Sequence, residues 1–240
     1  MQRRRDRAYT RFLSRVWLPL SCLITGSAQA APADLRKVAH AYYVWRDAAY
    51  PVSTSFLGDH RLDDKLTDYR MPAVLERRKH VAALLTQVGG MDVSSWSKED
   101  RVDQLLFLSQ LKAADFFGRR LDPERRDPQL YVTECTNGLF TLLQKEYAPP
   151  RVRALAAQKR LEAMPGLLRT ARTNLTQPVR LFAQLAIRAA REGDALYKES
   201  LAPLVAALSP EEQKRFAVAR DAALKELHAF ADWLEPKLES

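Results

Sequence analysis

Between its prolines this chain repeats apolar residues every third or fourth position, the period of a helix buried along one face. Leu35, Val38, Tyr42 and Trp45 make such a stripe from Asp34 to Tyr50, and it stops at Pro51, which cannot donate inside a helix. With 13 Pro against 8 Gly, and aromatics at 9%, the chain is poorly supplied for the turns of a β-sandwich. Hydrophobic residues at 47% and charged ones at 28% exclude a disordered or fibrous chain. The expected fold class is therefore all-α, a layered multi-helix bundle.

The punctuation places the remaining helices. Ser53 to Leu57 reads as a short helical turn closed by Gly58, and Asp59 to Arg70 as a polar connection. Pro72 opens a helix with the stripe Leu75, Ala82, Leu85 and Val88, ended by Gly89-Gly90. Ser97 with Asp100 resembles a capping box before a helix whose stripe is Val102, Leu105, Ser109, Ala113 and Phe116; Leu106, Leu108 and Leu111 widen that face. A charged connector follows from Arg119 to Gln129, then a buried helix with Leu139, Phe140, Leu142 and Leu143 that ends at Pro149-Pro150. Pro165 is expected to kink or break the helix begun at Arg151, and Pro178 starts one running to Leu196. Ser209-Pro210-Glu211-Glu212 is a strong helix start for the longest segment, striped by Phe216, Ala219, Ala223, Leu227, Phe230 and Leu234. No Gly/Ser linker divides the chain, so one bundle is expected.

The formal net charge of +9 does not make a nucleic-acid footprint, because six arginines stand in the first 30 residues against Asp6 alone. The rest of the chain is nearly balanced. Residues 1–30 have the three zones of a secretory signal: Arg3 to Arg15, an apolar run from Val16 to Ile24, and Ala28-Gln29-Ala30, with cleavage between Ala30 and Ala31. The helical domain is then 31–240. The run is too short for a bilayer span of about 20 residues, so contact with the membrane is transient, during export. Lipid attachment through Cys22 is the weaker reading, since Pro19 stands where a lipoprotein box wants Leu. Once the signal is removed, Cys135 has no partner for an internal disulfide, and its apolar setting reads as buried and inert.

Chemistry is sparse. His40, His60, His80 and His228 include no pair at i, i+4 and no His-Glu-x-x-His, so no metal site is assigned; Glu76 and His80 read as an exposed ion pair. There is no Gly-x-Ser-x-Gly elbow and no phosphate loop, so no catalytic residue is assigned either. Asn174-Leu175-Thr176 is a sequon only in form. The densest polar cluster is the loop Asp59, His60, Arg61, Asp63, Asp64 and Asp68, which fails the EF-hand spacing; Asp59, His60 and Arg61 are its candidates for lining a ligand groove.

Several strings in order carry a resemblance: Tyr50-Pro51-Val52-Ser53-Thr54-Ser55-Phe56-Leu57-Gly58-Asp59-His60-Arg61, Asp63-Asp64-Lys65-Leu66-Thr67-Asp68, Ser97-Lys98-Glu99-Asp100-Arg101-Val102-Asp103, and Asp127-Pro128-Gln129-Leu130-Tyr131. Asn137-Gly138-Leu139-Phe140, Tyr147-Ala148-Pro149, Arg160-Leu161 with Met164-Pro165, and Ala171-Arg172-Thr173-Asn174-Leu175 continue them. Over about residues 36–238 the chain resembles the bacterial domain of unknown function 885 family. That resemblance implies an all-α, zinc-metallopeptidase-like protein whose His-Glu motif lies in a C-terminal part that this chain does not match. Only the resemblance implies that the bundle is an incomplete part of a larger helical fold: an exported, non-catalytic N-terminal portion, truncated or split from its catalytic half, with no cofactor of its own and zinc only in that half. A peptide substrate follows by resemblance alone. The expected partners are the C-terminal catalytic half, or a second copy through the final helix, whose stripe the bundle would cover only in part. The alternative is a stand-alone periplasmic or secreted binding or scaffolding module.

Export is directly testable. Intact-mass measurement of the exported form should give a chain beginning at Ala31, whereas retained Met1 or lipid on Cys22 would contradict it.

Overall fold

The computed structural model describes residues 30–238; the Arg-rich start, the apolar run and Cys22 lie outside the described residues. Among the described residues the chain is helical without a strand. Its helices are α1 (Pro32–Ala49), α2 (Pro51–Phe56), α3 (Met71–Gly89), α4 (Lys98–Phe116), α5 (Pro123–Arg126), α6 (Pro128–Leu143), α7 (Pro150–Asn174), α8 (Arg180–Glu192), α9 (Ala202–Val205) and α10 (Pro210–Leu234). Wide single turns at Phe117–Leu121 and Leu196–Ser200 join α4 to α5 and α8 to α9.

The helix starts follow their capping chemistry. Ser97 Oγ accepts from the Asp100 amide at 3.1 Å, and Ser209 with Glu212 forms a reciprocal capping box at the head of α10. Pro occupies the first turn of most of the helices, where its missing N–H has no intrahelical partner to lose.

The layered bundle expected is present, and its core comes in two apolar clusters. One is gathered by α1, α3 and α4 around Leu35, Tyr42, Val81, Val88, Phe107 and Leu111, with the Tyr42 and Phe107 rings edge to face at 5.4 Å. The larger is gathered by α6, α7, α8 and α10 around Tyr131, Leu139, Leu161, Leu168, Phe216 and Phe230. Between them lie α2, the segment 57–70 and α5.

Four expectations are corrected. In α3 the buried row is Val74, Arg77, Val81, Leu84 and Val88; Val88 is as read from the sequence, but the rest of the row is one residue out of phase with that stripe, and Leu75 is exposed. In α4 the buried row is Gln104, Phe107 and Leu111, while Val102, Leu105, Leu106 and Phe116 face outward. Both errors have one cause: each buried row includes a polar residue that bonds a main-chain carbonyl, Arg77 to Asp68 at 2.7 Å and Gln104 to Val88 at 3.1 Å. Third, Pro165 does not end a helix, because α7 runs unbroken from Pro150 to Asn174. Burial of Leu161, Met164, Leu167 and Leu168 on either side of Pro165 offsets its cost of about 3 kcal/mol. Fourth, the stripe of α10 is closed by the chain itself, with Phe216, Ala223, Leu227, Phe230 and Leu234 all buried against α7 and α8.

The segment 57–70 has no helix or ladder of its own, yet its carbonyls are satisfied from below by buried side chains. Arg160 of α7, fully buried, donates to the Lys65 carbonyl at 3.0 Å, to Gly138 O at 2.5 Å, to Thr141 Oγ1 at 3.0 Å and to Ser55 Oγ at 2.7 Å. Asn174, the residue of the formal sequon, is buried and donates to Tyr69 O at 2.7 Å. In return the Thr67 amide donates to the Glu134 carboxylate at 2.7 Å. Burial raises the Glu134 carboxyl, and these donors with the Arg160 charge oppose the shift.

Two outcomes follow. Replacing Arg160 with Met strands buried acceptors and leaves Asp63 without its counter-charge, so urea unfolding should register a loss of about 3 kcal/mol or more. Arg151, chiefly, and the Ser209 amide hold the Glu212 carboxyl down to about 2. Its folded value lies below the unfolded one, so this contribution is present above the ordinary carboxylate range and disappears as pH falls toward 2. Glu212→Gln should therefore lower Tm near neutrality, and the difference from the parent should vanish near pH 2.

Candidate functional site

The loop singled out in the sequence divides its side chains between solvent and interior. Asp59 and Arg61 pair with each other, Nη2 to Oδ2 at 2.5 Å, and Arg61 is the first cause of an Asp59 carboxyl lowered to about 2. Asp68 and Arg70 repeat that geometry at 2.6 Å. His60 turns inward instead. Its ring stacks on Tyr147 with centroids 3.3 Å apart, and its Nδ1 meets Asp63 Oδ2 at 3.1 Å.

Asp63 is the common acceptor. Ser55 Oγ donates to it at 2.6 Å, the Tyr147 hydroxyl donates to its other oxygen, and Arg160 Nη2 stands 3.9 Å away. Burial and the Asp63 charge raise the Tyr147 phenol. Ser, His and Asp are thus adjacent but in the wrong order for nucleophilic catalysis, because both Ser55 and His60 address Asp63, and no imidazole stands between hydroxyl and carboxylate. His60, Arg61 and Asp63 do line a shallow groove of about 400 Å³, opposite Val152, Leu155 and Lys159.

A second cavity, of about 260 Å³, opens where the two cores meet. Its walls come from α1, α2, α3, the end of α4, and α5, with Trp45, Tyr50, Tyr69 and Phe117 among its rings. Arg77 and Arg78 both line it. Arg77 is buried, lies over the Tyr50 ring at 5.2 Å and the Tyr69 ring at 5.8 Å, and donates through Nη1 to Asp68 O. Its Nη2 has no partner, nor has Arg78 Nε. Burial raises the Tyr50 phenol, and the Arg77 charge is the main opposing influence. The sequence gives no signal for this cleft, because its members come from separate segments and because apolar periodicity carries no sign of a buried Arg77.

The other predicted residues stand apart. Ala31 caps α1, its amide donating to Asp34 Oδ2 at 3.1 Å, and the Ala30 carbonyl accepts from the Trp96 indole at 2.9 Å, so the expected cleavage point sits at the head of α1. His80 packs on Trp45, centroids 4.2 Å apart, rather than pairing with Glu76. His228 pairs with Asp194 at 2.9 Å, and His40 is exposed. Among the described residues no three His, Cys, Asp or Glu side chains gather as metal donors. A tetrahedral zinc needs such a set, so the residues present do not fit that ion. Cys135 is fully buried, and burial pushes its thiol up, away from the reactive thiolate. No helix among the described residues is long and apolar enough to cross a membrane.

Residues 51–240 match the family described as bacterial protein of unknown function, DUF885. Among curated proteins none matches. Of solved structures, the chain is similar to a candidate lipoprotein of unknown function from Shewanella oneidensis, at 21% identity and a TM-score of 0.75. The likeness covers 88% of this chain and 38% of that one, so the chain spans well under half its neighbour's length. At that identity it establishes the fold alone.

Elemental analysis of the dialysed protein should find no stoichiometric zinc. One zinc per chain, lost on His60→Ala, would show that scattered donors converge in solution.

Proposed function

This chain belongs to the DUF885 family, and from that premise we propose that it is an exported, all-helical protein that shapes and binds rather than cuts. The observation that carries this reading is the extent of the fold likeness: 88% of this chain corresponds to 38% of a longer protein, so the same helical unit recurs as a minority part of a larger architecture. In that setting it forms the non-catalytic helical portion of a metallopeptidase-like protein, with zinc and general base supplied by a segment outside it.

The state of the polar loop supports the same reading, since Asp59, Asp63 and Asp68 already hold Arg61, the Ser55–His60–Tyr147 donors and Arg70. None is left poised as a general base. The outward face of α4, with Val102, Leu105, Leu106 and Phe116, offers the apolar surface on which a further segment would seat. For location, the signal-like start favours the periplasm or the medium, and the neighbour's description as a candidate lipoprotein is compatible with export. A lipid anchor through Cys22 is the variant that intact mass distinguishes.

A second reading, a stand-alone exported binding module, is favoured by the inter-core cleft, whose lining comes from the described residues of this one chain. Co-expression with the C-terminal remainder of a full-length relative separates the two. A 1:1 complex by native mass spectrometry, weakened by Leu105→Glu with Leu106→Glu, is expected for the first; a chain that stays alone with every such partner supports the second.

A further inference from the structure

The cleft between the cores combines three properties of a ligand site: a partly open cavity, aromatic walls and a buried polar side chain with one arm that makes no hydrogen bond. Its volume of about 260 Å³ lies near the lower end of the roughly 300–1,000 Å³ usual for small-molecule sites, which suits a small organic molecule. Its charges decide the ligand's sign. Arg46 holds Asp47 at 2.8 Å, Arg119 holds Asp115 at 2.5 Å, and Arg78 holds Glu124 at 2.6 Å. Asp122, the second partner of Arg78, is shared with Arg125. Arg77 alone among these lining cations has no carboxylate partner: one arm serves the Asp68 carbonyl and the other, Nη2, is buried without an acceptor.

A buried guanidinium arm without an acceptor is unfavourable, and a charged acceptor relieves it more than a neutral one. The excess is a single positive charge, so one negative charge completes the site and a dianion overshoots it. The rings of Trp45, Tyr50 and Phe117 leave the remainder of the volume apolar. From this we propose that the inter-core cleft binds a small organic monocarboxylate, its carboxylate paired with the Arg77 guanidinium and its apolar body among Trp45, Tyr50 and Phe117. The proposal goes beyond the role above and holds whether or not the chain joins a larger assembly.

The test follows the Trp45 indole N–H resonance of the full exported chain, assigned by Trp45→Phe, during titration with phenylacetate, its neutral amide phenylacetamide, and phenylphosphonate. Phenylacetate should bind saturably and at least about tenfold more tightly than the amide, with the phosphonate dianion weaker than the acid. Arg77→Met should bring the acid down to the amide's level. Because Arg77 also supports the 57–70 loop, Ala114→Met gives a second route: Ala114 lines the cleft away from that loop, and a longer side chain there should weaken phenylacetate at least about tenfold with Arg77 intact. Equal affinity for acid and amide, unchanged binding in Ala114→Met, or no saturation by phenylacetate up to roughly 10 mM overturns the proposal.

Discussion

A fully buried guanidinium, that of Arg160, is the interaction on which the rest of this fold depends. A segment with neither helix nor ladder exposes carbonyls that must find donors once buried, and an arginine offers five N–H groups in a rigid fork. Arg160 spends them on Lys65, Gly138, Thr141 and Ser55, fastening α2, the 57–70 segment and α6 to α7 in one stroke. Burial pulls the guanidinium's pKa down, and the Asp63 and Glu134 charges oppose that. The loop is therefore a structural member held from beneath, and its acids are largely committed before any ligand arrives.

The same polar seam explains why there are two cores and a cavity between them. Apolar packing is close within α1, α3 and α4 and within α6 to α10, but the contact between the groups runs through side chains that must keep hydrogen-bond geometry. Arg77 reaches from α3 to the loop, and Arg78 from α3 to Asp122 and Glu124 at the head of α5. Asp122 takes a left-handed conformation, φ 48°, which brings the chain round into Pro123. Residues fixed by directional bonds cannot collapse to fill space as leucines do, and the cleft is the space they leave.

Much of the architecture was legible because it rests on local rules. Ser97 and Ser209 start helices as capping chemistry requires, the stripe of α10 is the buried one, and Cys135 is inert in its apolar surroundings. The failures share a physical cause. Apolar periodicity reads a buried Arg77 or Gln104 as solvent-facing, and so rotates α3 and α4 onto the wrong row. A proline in Pro165's place reads as a kink or a break, and tertiary burial that carries the helix through it without a break has no local signature. The Asp59 to Asp68 cluster is visible as polar density, but the setting of Asp63 depends on Tyr147 and Arg160, about 80 to 100 residues away, and the Arg77 cleft on six separate helices.

Amide hydrogen exchange over residues 57–70 tests the central point most directly. If buried side chains from α3, α6 and α7 hold this segment as firmly as a ladder would, the Thr67 amide, bonded to Glu134, should exchange only through opening as costly as that of α6 and α7. Exchange at the rate of an ordinary surface loop, with α6 and α7 still protected, would mean that the Arg160 lock does not govern the fold.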